Sequence, residues 1–144
     1  MQSPKYILLV EDDEFDVISV QRSVKKLELD IRLQTAYNGV EALSVLKKRT
    51  EEGKRYIPDI IILDLNMPKM NGVEFLREMR KDKELNEVRV FVMTTSGESA
   101  DRSEMDQLGV SGYLIKPMNF NENTKHRSSM DAFMQFHILN MLRK

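Results

Sequence analysis

Glu11, Asp12, Asp64, Thr94 and Lys116 are the residues of this 144-residue chain whose types and positions suit chemistry on a phosphoryl group. Each stands just after a short apolar run. YILLV (6–10) leads into Glu11-Asp12-Asp13-Glu14, IIIL (60–63) into Asp64, VRVFVM (88–93) into Thr94-Thr95-Ser96, and YLI (113–115) into Lys116-Pro117. Carboxylates gathered in one crevice repel, and they coexist ionised only beside a cation. Oxygen donors without a nearby His or Cys favour a hard ion. Mg2+ is the expected one, because it binds through a few carboxylates, waters and a phosphate. With metal and lysine offsetting its charge and a hydroxyl to hydrogen-bond it, a phosphoryl group is the ligand such a crevice fits.

The elements that would bring these residues together can be read from the apolar pattern. The run 60–63 is continuous, as in a central parallel strand covered on both faces, whereas IRLQTA (31–36) alternates and is expected at an edge. Between the five strand candidates lie segments with helical spacing: Phe15, Ile18, Val24 and Leu27; then Val40, Leu43 and Leu46; then Val73, Leu76, Met79 and Arg80. Asn38-Gly39, Asn71-Gly72 and Gly109 punctuate the pattern. Strict alternation of strand and helix predicts an α/β fold with a parallel sheet covered on both faces, and the expected form is a doubly wound five-stranded sheet of flavodoxin-like order 2-1-3-4-5 with five helices. In that order the ligand crevice opens at the carboxyl ends of strands one and three. Asp12 and Asp64 then face each other, with Thr94 and Lys116 arriving from neighbouring strands.

Composition narrows the function classes. A chain of 144 residues suits one domain, with no linker or repeat to mark a second. Its 22 basic and 23 acidic residues leave a net charge of -1, so no bulk field recruits nucleic acid or an anionic membrane. The absence of cysteine excludes disulfides, thiolate catalysis and Cys-ligated zinc, and is compatible with the cytosol. No apolar stretch approaches a signal-peptide core or a membrane span.

Structural readings stand beside the chemical ones. The acidic run from Glu11 to Asp16 also suits the positive end of a following helix, which is the role expected for Asp13 and Glu14. Thr94 and Thr95 also suit strand-end backbone groups, and Thr95 is assigned to that role. His126 and His137 are too far apart to chelate on one helix and are read as surface or packing residues.

Glu11-Asp12 after an apolar strand, Asp64 in LDLNMP, Gly72 downstream, Thr94 at the end of strand four and YLIKP together resemble the signature of the receiver domain of two-component response regulators. The resemblance runs from Lys5 to Leu142. The stretches EEGKRYIPDIIILDLNMPKMNG and TTS are similar to the stand-alone, phytochrome-associated type. The resemblance implies that Asp64 is the phosphoacceptor, attacking a phosphohistidine of a sensor histidine kinase or phosphotransfer protein, or a small phosphodonor. It implies that Asp12, Asp64 and the backbone carbonyl of Asn66 bind Mg2+, with Glu11 assisting partly through water. Lys116 would hold a phosphoryl oxygen, Thr94 would swing to hydrogen-bond it, and Tyr113 would turn inward in response. A second reading keeps Tyr113 as a fixed core aromatic. Pro117 would follow a cis peptide, and Asn66 and Ser96 occupy positions that tune the phosphate lifetime. Such a protein is a signalling switch, not an enzyme on other substrates.

Other classes fit less well. Haloacid-dehalogenase-type phosphohydrolases use a strand-end aspartate with Mg2+, but their second acid protonates the leaving group, which Asn66 cannot do. FMN binding asks for a Ser/Thr/Gly phosphate loop where this chain has four carboxylates, and Walker-type binding lacks its Gly-rich loop. At the C-terminus, Met130, Phe133, Met134, Ile138 and Met141 form one apolar stripe, and Ala132, Phe136 and Leu139 a second. The second stripe is either a homodimer or partner surface, or part of a broad core-facing one.

Overall fold

Parallel strands buried on both faces read as unbroken apolar runs, and the computed structural model places such runs at the centre of the sheet. It describes residues 5–65, 67, 70–95, 102–116, 136 and 138, with the side chains of Thr94, Thr95, Arg102, Ile115 and Lys116 outside that description. The elements are β1 (Lys5–Val10), α1 (Glu14–Lys26), β2 (Ile31–Ala36), α2 (Gly39–Lys47), β3 (Ile60–Asp64), α3 (Gly72–Arg80), a 3-10 turn (Lys83–Leu85), β4 (Arg89–Thr95), α4 (Arg102–Gln107) and β5 (Gly112–Lys116). All pairings within the sheet are parallel and the order is β2-β1-β3-β4-β5, as expected, with the alternating β2 at an edge. The fifth expected helix falls outside the described residues apart from Phe136 and Ile138.

Side chains alternate across the sheet and build two cores. On one face Leu8, Val10, Ile61, Leu63, Val90 and Val92 meet Ala42 and Leu46 of α2 and Phe75, Leu76 and Met79 of α3. On the other, Ile7, Leu9, Ile60, Ile62, Phe91, Met93 and Leu114 meet Val17, Val20 and Val24 of α1, joined by Ile138. Phe75 is fully buried, so Phe75→Ala should lower unfolding stability by about 3–5 kcal/mol in urea titrations.

The buried face of α1 differs from the expected one. Phe15 is 79% exposed and Ile18 44%, while Val17, Val20 and Val24 face the sheet. At 3.6 residues per turn, Phe15 and Val24 lie roughly half a turn apart, so spacing in multiples of three had joined two opposite rows. The row 17, 20, 24 keeps one face. Phe15→Ser should therefore leave stability within about 0.5 kcal/mol of the parent. Likewise Val40, expected inside, is 51% exposed, and Ala42 takes its place against the core.

Caps fix the helix starts. Asn38 caps α2 by accepting from the Glu41 amide, and Asn71 with Glu74 forms a reciprocal capping box at α3. Gly109 has a φ of 80°, the left-handed region that glycine enters without strain, and turns the chain from α4 towards β5.

Between α2 and β3, Arg55 reaches the Leu46 carbonyl at the end of α2 and pairs with Asp82 at 2.9 Å and Glu84 at 2.6 Å. Burial alone would push the Asp82 carboxyl upward, but the hydrogen bonds from Arg55 and the Glu84 amide and the charge of Arg55 hold it below its ordinary value. A carboxyl held low in the folded state contributes stability above its unfolded pKa and loses it as the pH falls through the folded one. The stability gap between the parent and Arg55→Met should thus be widest at neutral pH and narrow below about pH 4 in pH-resolved urea unfolding.

Candidate functional site

Parallel register brings the acids together. Val10 pairs with Leu63, so Glu11 leaves β1 level with Asp64, the last residue of β3. Ligand oxygens of Glu11, Asp12 and Asp64 all lie within 4.8 Å of one another. Glu11 is fully buried and Asp64 only 2% exposed, whereas Asp12 opens to solvent. Two carboxylates withdrawn from water beside a third need a cation, and oxygen-only donors suit a hard divalent one, so the residues fit the expected metal.

Local structure holds these groups still. The Glu11 amide donates to the Ala36 carbonyl at 2.9 Å, which ties the end of β1 to the end of β2. Its carboxylate accepts from the Asp13 amide at 3.0 Å. Asp13 in turn caps α1, accepting from the Phe15 amide at 2.8 Å, the helix-stabilising role expected of it. On the far side the Leu65 amide donates to the Met93 carbonyl at 3.2 Å. The Gly72 amide at the start of α3 donates to the Leu65 carbonyl at 3.1 Å, which ties the helix start to the residue after Asp64.

The remaining expected residues are placed by backbone. Asp64 pairs with Met93, so Thr94 stands one residue further along β4; it pairs with Ile115, and Thr95 pairs with Lys116. Thr94, Thr95 and Lys116 end their strands instead of following them. The roles assigned to the Thr94 and Lys116 side chains, to the Asn66 carbonyl and to Pro117 with its peptide bond lie outside the described residues.

Tyr113 sits on β5, half-buried, and its hydroxyl donates to the Asp106 carboxylate on α4. Neither this partner nor two further ties of α4 were visible in the sequence. Arg77 pairs with Glu104. Arg80, placed above in an apolar row, directs its guanidinium to carbonyls that include Leu108 and Gly109. A charged residue closing an apolar helical row was the one available signal.

A parallel 2-1-3-4-5 sheet with an acid cluster at the carboxyl ends of β1 and β3 offers a crevice for a divalent cation, the arrangement expected of a receiver domain. The family model described as the response regulator receiver domain matches residues 7–126, and the chain belongs to that family. Response regulator Rcp1 of Synechocystis sp. is 35% identical over 130 residues, covering 90% of this chain and 88% of that protein. The crystal structure of the Mn2+-bound form of Rcp1 superposes with a TM-score of 0.78 at 34% identity, over 92% of this chain and 94% of the other. The phosphorylated cyanobacterial phytochrome response regulator RcpA does so with a TM-score of 0.80 at 29% identity, over 96% of each chain. The family match leaves the haloacid-dehalogenase alternative without support. Among the described residues no helix is long and apolar enough to cross a membrane.

Proposed function

We propose that Asp64 is the phosphoacceptor of this receiver and that phosphorylation there, with Mg2+, alters the surface it offers to a partner. The observation that carries this reading is the convergence of Glu11, Asp12 and Asp64 within 4.8 Å at adjoining strand ends. An Asp64 carboxylate oxygen attacks the phosphorus of a phosphohistidine on a sensor kinase or phosphotransfer protein. The oxygen–phosphorus bond forms as the phosphorus–nitrogen bond breaks, and the imidazole leaves and takes up a proton. Water later attacks the acyl phosphate and restores the carboxylate with release of phosphate. Asp12, Asp64 and the Asn66 carbonyl would hold Mg2+, with Glu11 assisting through water. When bound, the ion supplies compact positive charge against the phosphoryl oxygens. Lys116 holds one of those oxygens and Thr94 donates a hydrogen bond to another. That bond, made only in the loaded state, biases a two-state loop, to which Tyr113 responds.

The readout is proposed for the α4–β5 side and the C-terminal segment of a single cytoplasmic receiver unit. In that segment Phe136 is 67% exposed while Ile138 is fully buried in the core beside α1. The exposure of Phe136 suits a second copy of the chain better than a further contact with the sheet, and Leu139, its neighbour in the apolar stripe of the sequence, is proposed to join it. Light scattering of Phe136→Glu with and without phosphodonor tests this; an unchanged mass for parent and variant in both states would sink the dimer.

The main reading is tested by intact mass after incubation with acetyl phosphate. The expected result is a Mg2+-dependent gain of one phosphate, labile to hydroxylamine and absent in Asp64→Asn. A gain that persists in the variant would place the acceptor elsewhere.

A further inference from the structure

Helix α3 meets the acceptor segment at its start and reaches α4 and the turn that follows it through two arginines, Arg77 and Arg80. At its start, a Cβ on Gly72 would lie 2.8 Å from the Asp64 carbonyl oxygen and 2.8 Å from Leu65 Cα, so this helix rests on the acceptor's own backbone. Midway, Arg77 pairs with Glu104 of α4, and the hydrogen bond and charge of that arginine hold the Glu104 carboxyl below its usual range. At the far end Arg80 commits every guanidinium donor to a backbone carbonyl: Nε to Leu108 at 2.8 Å, Nη1 to Leu85 at 2.8 Å and Asn86 at 3.0 Å, Nη2 to Val88 at 3.0 Å and Gly109 at 3.3 Å. Leu108 and Gly109 are the residues at which the chain leaves α4. The nine residues of α3 span about 13 Å, its start is locked by a capping box, and Phe75, Leu76 and Met79 fasten it to the sheet.

We propose that α3 acts as a connecting rod, carrying movement of the Asp64–Leu65 backbone to the end of α4 through Arg77 and Arg80. This path is separate from the one through Thr94 and Tyr113, and it rests on Asp64 being the acceptor. The reasoning is mechanical. A helix in van der Waals contact with the acceptor backbone at one end cannot stay still when that backbone shifts. A saturated guanidinium at the other end transmits the shift, because its five bonds cannot all survive a change in its position. Arg77 and Arg80 are positioning residues here, since neither touches the phosphoryl group.

Hydrogen–deuterium exchange of residues 102–109 tests the proposal, in the parent protein, Arg77→Ala, Arg80→Lys and the swap Arg77→Glu with Glu104→Arg. Each is measured with and without acetyl phosphate and Mg2+, with the labelled fraction read by intact mass from the same sample. Arg77 is about half exposed, so its removal leaves the fold intact. The expected result is equal labelling throughout, a severalfold change in α4 exchange on phosphorylation of the parent, at least a threefold smaller change in Arg77→Ala and Arg80→Lys, and recovery in the swap. Equal labelling with an unreduced change in both single variants would overturn the rod while leaving the acceptor standing. A fully labelled parent whose α4 exchange does not change would overturn it too. An unlabelled parent would remove the acceptor reading and the proposal with it.

Discussion

Without metal, Asp64→Asn should unfold at a higher urea concentration than the parent protein while taking up no phosphate at all. Asp64 is 2% exposed and its carboxylate lies within 4.8 Å of those of Glu11 and Asp12. Two unit charges about 5 Å apart repel by roughly 3 kcal/mol at an effective dielectric of 20, and solvent at the open Asp12 screens part of that. A net gain near 1 kcal/mol is the expected size. Mg2+ should reverse the order. At a hundredfold excess over its dissociation constant it stabilises a folded state that binds it by about 2.7 kcal/mol. The variant, having lost one of its anionic ligands, should gain much less. Urea titrations of both proteins at several Mg2+ concentrations supply the measurement. If the variant were less stable than the parent without metal, repulsion among the three carboxylates would not be what the site stores.

Gly72→Ala should slow phosphate uptake by roughly ten- to a hundredfold and lower stability by about 1–3 kcal/mol. The added methyl would stand 2.8 Å from the Asp64 carbonyl oxygen, Leu65 Cα and Leu65 Cδ2. Two of those neighbours are backbone atoms of the acceptor segment and cannot rotate aside. Either the start of α3 lifts away, breaking the Gly72 bond to the Leu65 carbonyl, or the end of β3 gives way and carries Asp64 off its place beside Glu11. Rate constants for labelling by acetyl phosphate, measured beside urea unfolding, separate the two. A normal rate in a weakened protein would mean the glycine serves packing alone.

The strands were legible because burial on both faces leaves no room for a polar residue until the strand ends. That rule exposed Asp64 in the sequence, and Glu11-Asp12 and Lys116 by the same contrast. Alternation made the parallel sheet legible, the order came only with the flavodoxin-like assignment, and β2 declared itself an edge by its polar positions. The faces of helices were less legible. In α1 two rows satisfy apolar spacing, and nothing local tells the solvent-facing Phe15 and Ile18 from the buried Val17, Val20 and Val24. Ser19 and Ser23 beside the buried row blur it further. The ties of α4 were not legible at all. Arg77 meets Glu104 27 residues on, and Arg80 meets the Leu108 carbonyl 28 residues on, distances at which no sequence period operates.

The place of β1 at the heart of the sheet bears on how the protein is made. It is synthesised well before β3, and the hydrogen bond from the Tyr6 amide to Asp59 spans 53 residues of sequence. Until Ile60 to Asp64 has been synthesised, β1 has only β2 for company, and one edge of its buried run Ile7–Val10 stays open. The nascent chain thus carries an open apolar strand edge until β3 arrives. Completion of β3 covers that edge, and the same event brings Asp64 up beside Glu11 and Asp12, so one pairing step both closes β1 and assembles the acid cluster.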